Sequence, residues 1–340
     1  MSQIVHENGA VAVTNFLESQ AGFRVLASSC GMAERMDHAH FQFAGKDRTR
    51  WMNGQITNNI RDLAVGNGVY GFLLNPQGQI QGDLYAYNRS EYLLVDLERS
   101  QIEKVLGQFR RYIIMDKVEI TELPNAIIQV TGPNAAEVLK KAGFPLPELQ
   151  PVQMAEVKWN EINCTVVRKD IPVVPSFEIW CAPIDSNTIQ KALIQAGGET
   201  VDLGALELLR IACGIPKIGQ DIRERDLPQE TEQTRALNFN KGCYIGQEIV
   251  ERVRSRGNVH RKLTGFLVDG PLQMPGTAIQ IDGKGVGEIT SVASLPSNGS
   301  SQNIALGFLR REHATLGNTI FLGEARVTVI SLPFTKFLEQ

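Results

Sequence analysis

Cysteine is scarce: Cys30, Cys164, Cys181, Cys213 and Cys243 are an odd number scattered through 340 residues. That pattern is neither a disulfide framework nor a CxxC zinc motif, and it fits a reducing compartment. Long apolar runs are missing as well. Stretches such as Phe72 to Leu74 or Tyr112 to Met115 have the length of core elements, far short of the roughly 18 residues a membrane span needs. Residues Met1 to Gln20 lack a basic region ahead of an apolar run and carry Glu7 and Glu18, so neither a secretory signal nor an Arg-rich transit peptide is expected. The expectation is a cytoplasmic protein with no membrane contact. An excess of one charge is absent too, because 34 basic and 37 acidic residues leave a net charge of −3. This argues against a disordered acidic tail or a histone-like polycation and points to no particular partner.

What is present is enough apolar material for a large core: 43% of positions are hydrophobic, and a chain of this size buries roughly 75% of its unfolded surface. The length predicts two or three domains. Alternation of Ala39, Phe41 and Phe43 with His38, His40 and Gln42 predicts a half-buried strand. After Gly45 and Asp47, which offer a turn and a helix cap, the runs Val69 to Leu74 and Gln79 to Tyr87 flank Asn75-Pro76-Gln77-Gly78 and predict a hairpin. Tyr92 to Val95 is strand-like. Ile102, Val105, Leu106, Phe109, Tyr112 and Ile113 share one helical face, and Val118 to Thr121 is extended.

The same order recurs with strands at Ile127 to Thr131, Cys164 to Val167 and Ser176 to Cys181 and helices at Pro133 to Ala142 and Asp185 to Ala196. Asp202 to Cys213 predicts another helix, and Gly214 to Arg261 has no strong periodicity. Short strands from Leu263 to Leu332, separated by turn residues, predict a small β-barrel or sandwich. The fold class expected is α+β, in three units: residues 1–124, residues 125–260 with a cysteine-bearing loop, and residues 261–340.

The most unusual chemistry is Lys241-Gly242-Cys243-Tyr244-Ile245-Gly246-Gln247-Glu248. Gly242 and Gly246 allow close backbone approach, Lys241 favours thiolate, and Gln247 and Glu248 offer hydrogen bonds, so a reactive Cys243 is one reading. The other is a buried cysteine packed as a small hydrophobe. Glu251 to Lys262 holds five basic residues against one acid. A polyanion is one occupant and a solvated face the plainer one; without interleaved aromatics nucleic acid is not expected. His38 and His40 alone make an incomplete zinc site, and no metal is expected.

The run Lys241 to Glu248 resembles the signature of the YgfZ family of folate-binding proteins, relatives of the aminomethyltransferase (T-protein) of the glycine cleavage system. Ala44 to Asn58 is similar to that family's first helix, and Leu209-Arg210-Ile211-Ala212-Cys213-Gly214-Ile215-Pro216 to its arginine-containing helix and turn. The resemblance runs from about residue 25 to the end. It implies two ferredoxin-like α+β units and a C-terminal antiparallel β-barrel around a central channel that holds tetrahydrofolate. It also implies a role in assembly or repair of iron-sulfur proteins, with client or assembly proteins as partners.

By the same resemblance Asp83 corresponds to the T-protein aspartate that handles a proton near folate N10, and Cys243 joins it as a catalytic candidate. Read as an isolated residue, Asp83 is an ordinary strand or bulge acid. Glu178 resembles the glutamate that grips the pterin through two parallel hydrogen bonds, although the Gly-rich acidic tract before it in T-proteins is replaced here by Ile171-Pro172-Val173-Val174-Pro175. Its alternative is an outward-facing strand position. Arg210 is a candidate for a folate carboxylate or pterin oxygen, or a helix arginine paired to Glu207. Lys241, Tyr244 and Gln247 complete the implied folate-binding set. A genuine aminomethyltransferase and a non-catalytic interaction scaffold are the alternative functions.

Overall fold

The computed structural model describes residues 6–7, 10–11, 16–257, 259–297 and 300–338. The alternating segment forms the strand His38–Ala44, which sits in a five-stranded antiparallel sheet. The order across it is Gly68–Leu74, Ile80–Asn88, Leu93–Glu98, His38–Ala44, Glu119–Leu123. One face is apolar because Ala39, Phe41, Phe43, Leu84, Ala86 and Val95 all point to it. Helices Arg48–Gln55 and Ile102–Tyr112 cover that face with Trp51, Met52, Val105 and Phe109. Phe43, Trp51 and Phe109 meet ring to ring at 5.4 to 6.2 Å, so truncating Phe109 to Ala would cost about 3–5 kcal/mol. The hairpin turn holds as expected: Asn75 Oδ1 accepts from the backbone N–H groups of Gln77 and Gln79.

The second sheet has six strands in the order Met154–Trp159, Ile162–Arg168, Ser176–Cys181, Ala126–Thr131, Gly31–Glu34, Glu199–Thr200. Ile128, Val130, Val166 and Ile179 bury its outer face beneath helices Ala135–Lys141 and Ser186–Gln195. The boundary drawn at residue 124 needs one correction. Gly31–Glu34 pairs with Ala126–Thr131, and helix Phe16–Ser28 packs on helix Leu203–Ala212, where a Cβ at Gly22 would stand 2.7 Å from that of Ala205. Residues 16–34 therefore pack with the second unit: Gly31–Glu34 is paired on both sides by its strands, and Phe23 and Leu26 enter a core with Leu208 and Leu209 that also takes in Ala293 and Leu295 of the barrel.

The segment Gly214 to Arg261, read as irregular, contains helix Gln247–Arg256. Gly246 caps it in the left-handed region at φ 82°, and a Cβ there would lie 2.7 Å from Asn75 O, so glycine is required on both counts. The last unit is a six-stranded antiparallel sheet, ordered Ala278–Ile281, Lys284–Ser297, Ser300–Arg310, Arg261–Asp269, Ala325–Ile330, Thr319–Leu322. Its two end strands come into contact, so the barrel is nearly closed. Among the described residues no helix is long and apolar enough to cross a membrane.

The two sheets turn their inner faces to each other. Tyr87 and Leu94 of the first pack with Ile127, Met154, Val167 and Trp180 of the second in one apolar cluster. That inner layer also carries the buried ionisable groups His40, Asp96, Lys169 and Glu178, and the candidate site lies in it.

Candidate functional site

Along Ile80–Asn88, Leu84 and Ala86 face the helices, so the strand period turns Asp83, Tyr85 and Tyr87 to the inner face. Tyr70 donates its hydroxyl to Asp83 Oδ2 at 2.7 Å, and Gln101 donates Nε2–H to Oδ1 at 2.8 Å. Burial raises the Asp83 carboxyl above the usual carboxylate range against the pull of these two hydrogen bonds. A buried, positioned acid of this kind can hold or release a proton.

On the facing strand Ser176–Cys181, Phe177, Ile179 and Cys181 enter the outer core and Glu178 and Trp180 point inward. The outward-facing alternative for Glu178 is therefore overturned: it is 1% exposed. Its Oε2 accepts from Trp180 Nε1 at 2.9 Å, and its Oε1 lies 3.3 Å from Lys169 Nζ. The same ammonium stands 3.3 Å from Asp96 Oδ2 and 4.2 Å from the centre of the Tyr85 ring. Asp96 Oδ1 pairs with His38 Nδ1 at 2.7 Å. Burial opposes both charges, but Glu178 and Asp96 keep Lys169 well above the lysine range, and His38 and Lys169 keep Asp96 well below the carboxylate range.

His40 lies directly across the ladder from Asp96, and burial pushes it down to about 4, so the ring is neutral at pH 7. Asn125 Nδ2 approaches its Nδ1 at 3.0 Å, which assigns the ring proton to Nε2. Among the described residues, that Nε2 and the buried Tyr87 hydroxyl have no hydrogen-bond partner. Tyr85 donates to Asp170 Oδ1 at 2.6 Å, and Arg235 pairs with Asp170 while covering the Tyr70 ring at 4.5 Å.

Lys241 anchors the cysteine loop. Its buried Nζ donates to three carbonyls at the end of helix Arg48–Gln55 and just beyond it: Asn53 and Ile56 at 2.6 Å and Asn58 at 2.7 Å. Burial and Arg61 push its pKa down to about 7, against the three acceptors, which favour the ammonium form. Cys243 is exposed, so the packed-hydrophobe alternative is overturned for it. Tyr244 is buried with Phe72, Leu74 and Val250, its ring 4.9 Å from Lys241 Nζ, and Gln247 is half-buried at the start of its helix.

Arg210 lies at the joint with the barrel. Its guanidinium donates to both oxygens of Glu207 at 2.7 and 2.8 Å, to Asp221 at 2.8 Å, to Ser291 at 2.9 Å and to Ile215 O. Its donors are thus spent on protein acceptors, in line with the helix-pair alternative.

The structure brings Asp83 and Glu178 to the shared inner layer and places Lys241, Cys243 and Tyr244 on a separate loop, with Gln247 opening the helix that follows it. The two are tied through Asn58, whose carbonyl accepts from Lys241 and whose Nδ2 donates to Tyr70 O at 2.8 Å and Arg235 O at 2.9 Å. Sequence reasoning missed Tyr70, Tyr85, Asp96, Gln101, Lys169, Asp170 and Arg235. One signal was available: Asp96 interrupts the apolar run Leu93 to Leu97, the mark of an acid forced into a core. A cavity of about 630 Å³ opens beside helix Ile102–Tyr112 and the Asn75 turn, and one of about 310 Å³ beside Phe41 and Ile120; neither is lined by any of the predicted site residues.

Comparison with known proteins adds the family. The GCVT N-terminal domain matches residues 14–241, and the glycine cleavage T-protein C-terminal barrel domain matches residues 261–336. An aminomethyltransferase of Halalkalibacterium halodurans is 25% identical, covering 98% of this chain and 94% of its own length. One from Caldanaerobacter subterraneus is 28% identical over 81% of this chain and 76% of its own, and a putative chloroplastic transferase of Arabidopsis thaliana is 25% identical over 87% and 69%. The crystal structure of the glycine cleavage system aminomethyltransferase T from Bartonella henselae superimposes with a TM-score of 0.84 at 20% identity, covering 94% of this chain and 90% of that one, which shows a shared fold.

Proposed function

The chain belongs to the GCVT domain family, and from that premise we propose that it transfers a one-carbon unit to a reduced folate in the manner of an aminomethyltransferase. The observation that carries this reading is the buried Asp83 carboxyl held by Tyr70 and Gln101. Forming methylenetetrahydrofolate from an aminomethyl group on lipoyl sulfur makes two N–CH2 bonds to the folate and breaks the carbon's bonds to nitrogen and sulfur, releasing ammonia and the lipoyl thiol; each attacking folate nitrogen must lose a proton. Asp83 is the base poised to take it. Glu178, across the same layer, is a carboxylate able to accept from a pterin's 2-amino group and N3–H. The test is direct: purified protein with tetrahydrofolate and an aminomethylated lipoyl carrier should form methylenetetrahydrofolate, and Asp83→Asn should reduce turnover at least 100-fold, the low end of a general base's contribution. Absence of turnover would defeat the reading.

A second reading is favoured by one observation, the exposed Cys243 on a loop anchored by Lys241. In it the chain resembles YgfZ proteins in function as well as signature, with tetrahydrofolate bound and the thiol presented to an iron-sulfur client or assembly protein in the cytoplasm. Replacing Cys243 by Ala should then lower client enzyme activity in cells while folate affinity is unchanged. An unaffected client would remove this reading.

A further inference from the structure

Lys169 holds its two carboxylates loosely. Well-formed ammonium–carboxylate bonds are about 2.7–2.9 Å long, whereas Lys169 Nζ is 3.3 Å from both Asp96 Oδ2 and Glu178 Oε1. It compromises between two acids and lies on the face of Tyr85, 4.2 Å from the ring centre. Those are the two surfaces that a flat heterocycle with adjacent N–H donors would use, a free carboxylate oxygen at its edge and an aromatic face to stack on. Glu178 Oε2 is held separately by Trp180 Nε1 at 2.9 Å, and Asp96 keeps His38 as a partner, so the ammonium can leave Glu178 without stranding either acid. Beside this group, the Tyr87 and His40 rings flank Trp180 at 5.1 and 4.4 Å. Tyr87 Oη and His40 Nε2 are buried there without partners among the described residues, and a ring oxygen or nitrogen would supply them.

We propose that Lys169 is an internal occupant of the pterin position, which a reduced folate must displace from Glu178 and Tyr85 to bind. This rests on the folate reading above. Lys169 thereby sets affinity: part of the binding free energy of the pterin is spent on moving the ammonium away, and only ligands with donors for Glu178 and a flat face for Tyr85 can compete with it.

The experiment is calorimetric titration with 5-formyltetrahydrofolate of the full chain and three variants, each first shown to unfold cooperatively. K169M/D96N removes the ammonium together with one acid, so the charge of the buried group is conserved. Lys169→Gln removes the charge and keeps an amide donor, and carries the same expectation should the double variant fail to fold. Glu178→Gln removes one acceptor. Dissociation constants at least tenfold lower in K169M/D96N or Lys169→Gln than in the wild type, with weakened binding in Glu178→Gln, are the result expected. Equal or weaker binding in the Lys169 variants, with the wild type still binding, overturns the internal-occupant role and leaves the folate reading intact. No binding by any protein overturns the folate reading and this proposal with it.

Discussion

Tyr70 and Asp83 sit diagonally across the ladder between Gly68–Leu74 and Ile80–Asn88, and the tyrosine hydroxyl donates to Asp83 Oδ2 at 2.7 Å. Because burial lifts the Asp83 carboxyl above its ordinary value, the folded protein binds more protons than the unfolded chain in the interval between the two pKa values. Stability therefore falls as pH rises through that interval, and the contribution is fully present only below the unfolded value. Asp83→Asn, which keeps the shape and cannot ionise, should flatten this dependence. Urea midpoints of wild type and variant, compared from acid to neutral pH, check it: the wild type should lose ground to the variant as pH rises, and parallel curves would contradict it.

Thiol chemistry should divide the five cysteines sharply. Burial pushes Cys30 and Cys164 up to about 11 and Cys181 and Cys213 up to about 12, whereas Cys243 is exposed. At pH 8 the native protein should consume one equivalent of an aromatic disulfide reagent quickly and four more only after unfolding. Cys243→Ala should abolish the fast phase. Two fast equivalents would contradict the burial assigned here.

Much of the framework was legible because strands and helices write their periods locally. His38–Ala44 alternates, Ile102–Tyr112 repeats on one face, and Asn75 to Gly78 spells a turn. Helix Gln247–Arg256 hid because it is strongly polar, with Arg252 and Arg254 exposed beside Glu251, and its packing rests on few apolar residues such as Ile249 and Val250. The site divided in the same way. Asp83 and Glu178 were proposed by resemblance, but nothing local links Lys169 to Asp96, 73 residues away, or Tyr85 to Asp170, 85 away. Those pairs exist only once the two sheets face each other. For Arg210 only the Glu207 pairing could be read locally, because its partners Asp221 and Ser291 come from a loop and a barrel strand that no periodicity connects to its helix.

That commitment of Arg210 makes a prediction of its own. Asp221, 1% exposed, accepts from Arg210, from Lys217 N and from the hydroxyls of Thr290 and Ser291, so it joins helix, loop and barrel. Arg210→Met leaves this buried acid without its cation and should cost about 3–5 kcal/mol in stability. Folate affinity, measured below the lowered melting point, should stay within twofold of wild type. A selective loss of folate binding without loss of stability would return Arg210 to the ligand site.

Lys241 should behave as a structural clamp whose chemistry is specific to an ammonium. Three carbonyls converge on one nitrogen, a geometry that three tetrahedral N–H donors can satisfy and a planar guanidinium fork cannot. Lys241→Met should strand these acceptors and destabilise the protein by about 3 kcal/mol, since each charge-assisted bond to a buried group is worth roughly 1.5–3 kcal/mol and solvent will rescue some of them. Lys241→Arg should restore less than half of that loss. Urea unfolding read by tryptophan fluorescence measures both, the comparison being valid where the slopes agree. Trp51 lies on the helix whose end Lys241 closes, so its signal follows the same transition. A full rescue by arginine would mean that charge alone, and not the three-way convergence of carbonyls, holds the cysteine loop in place.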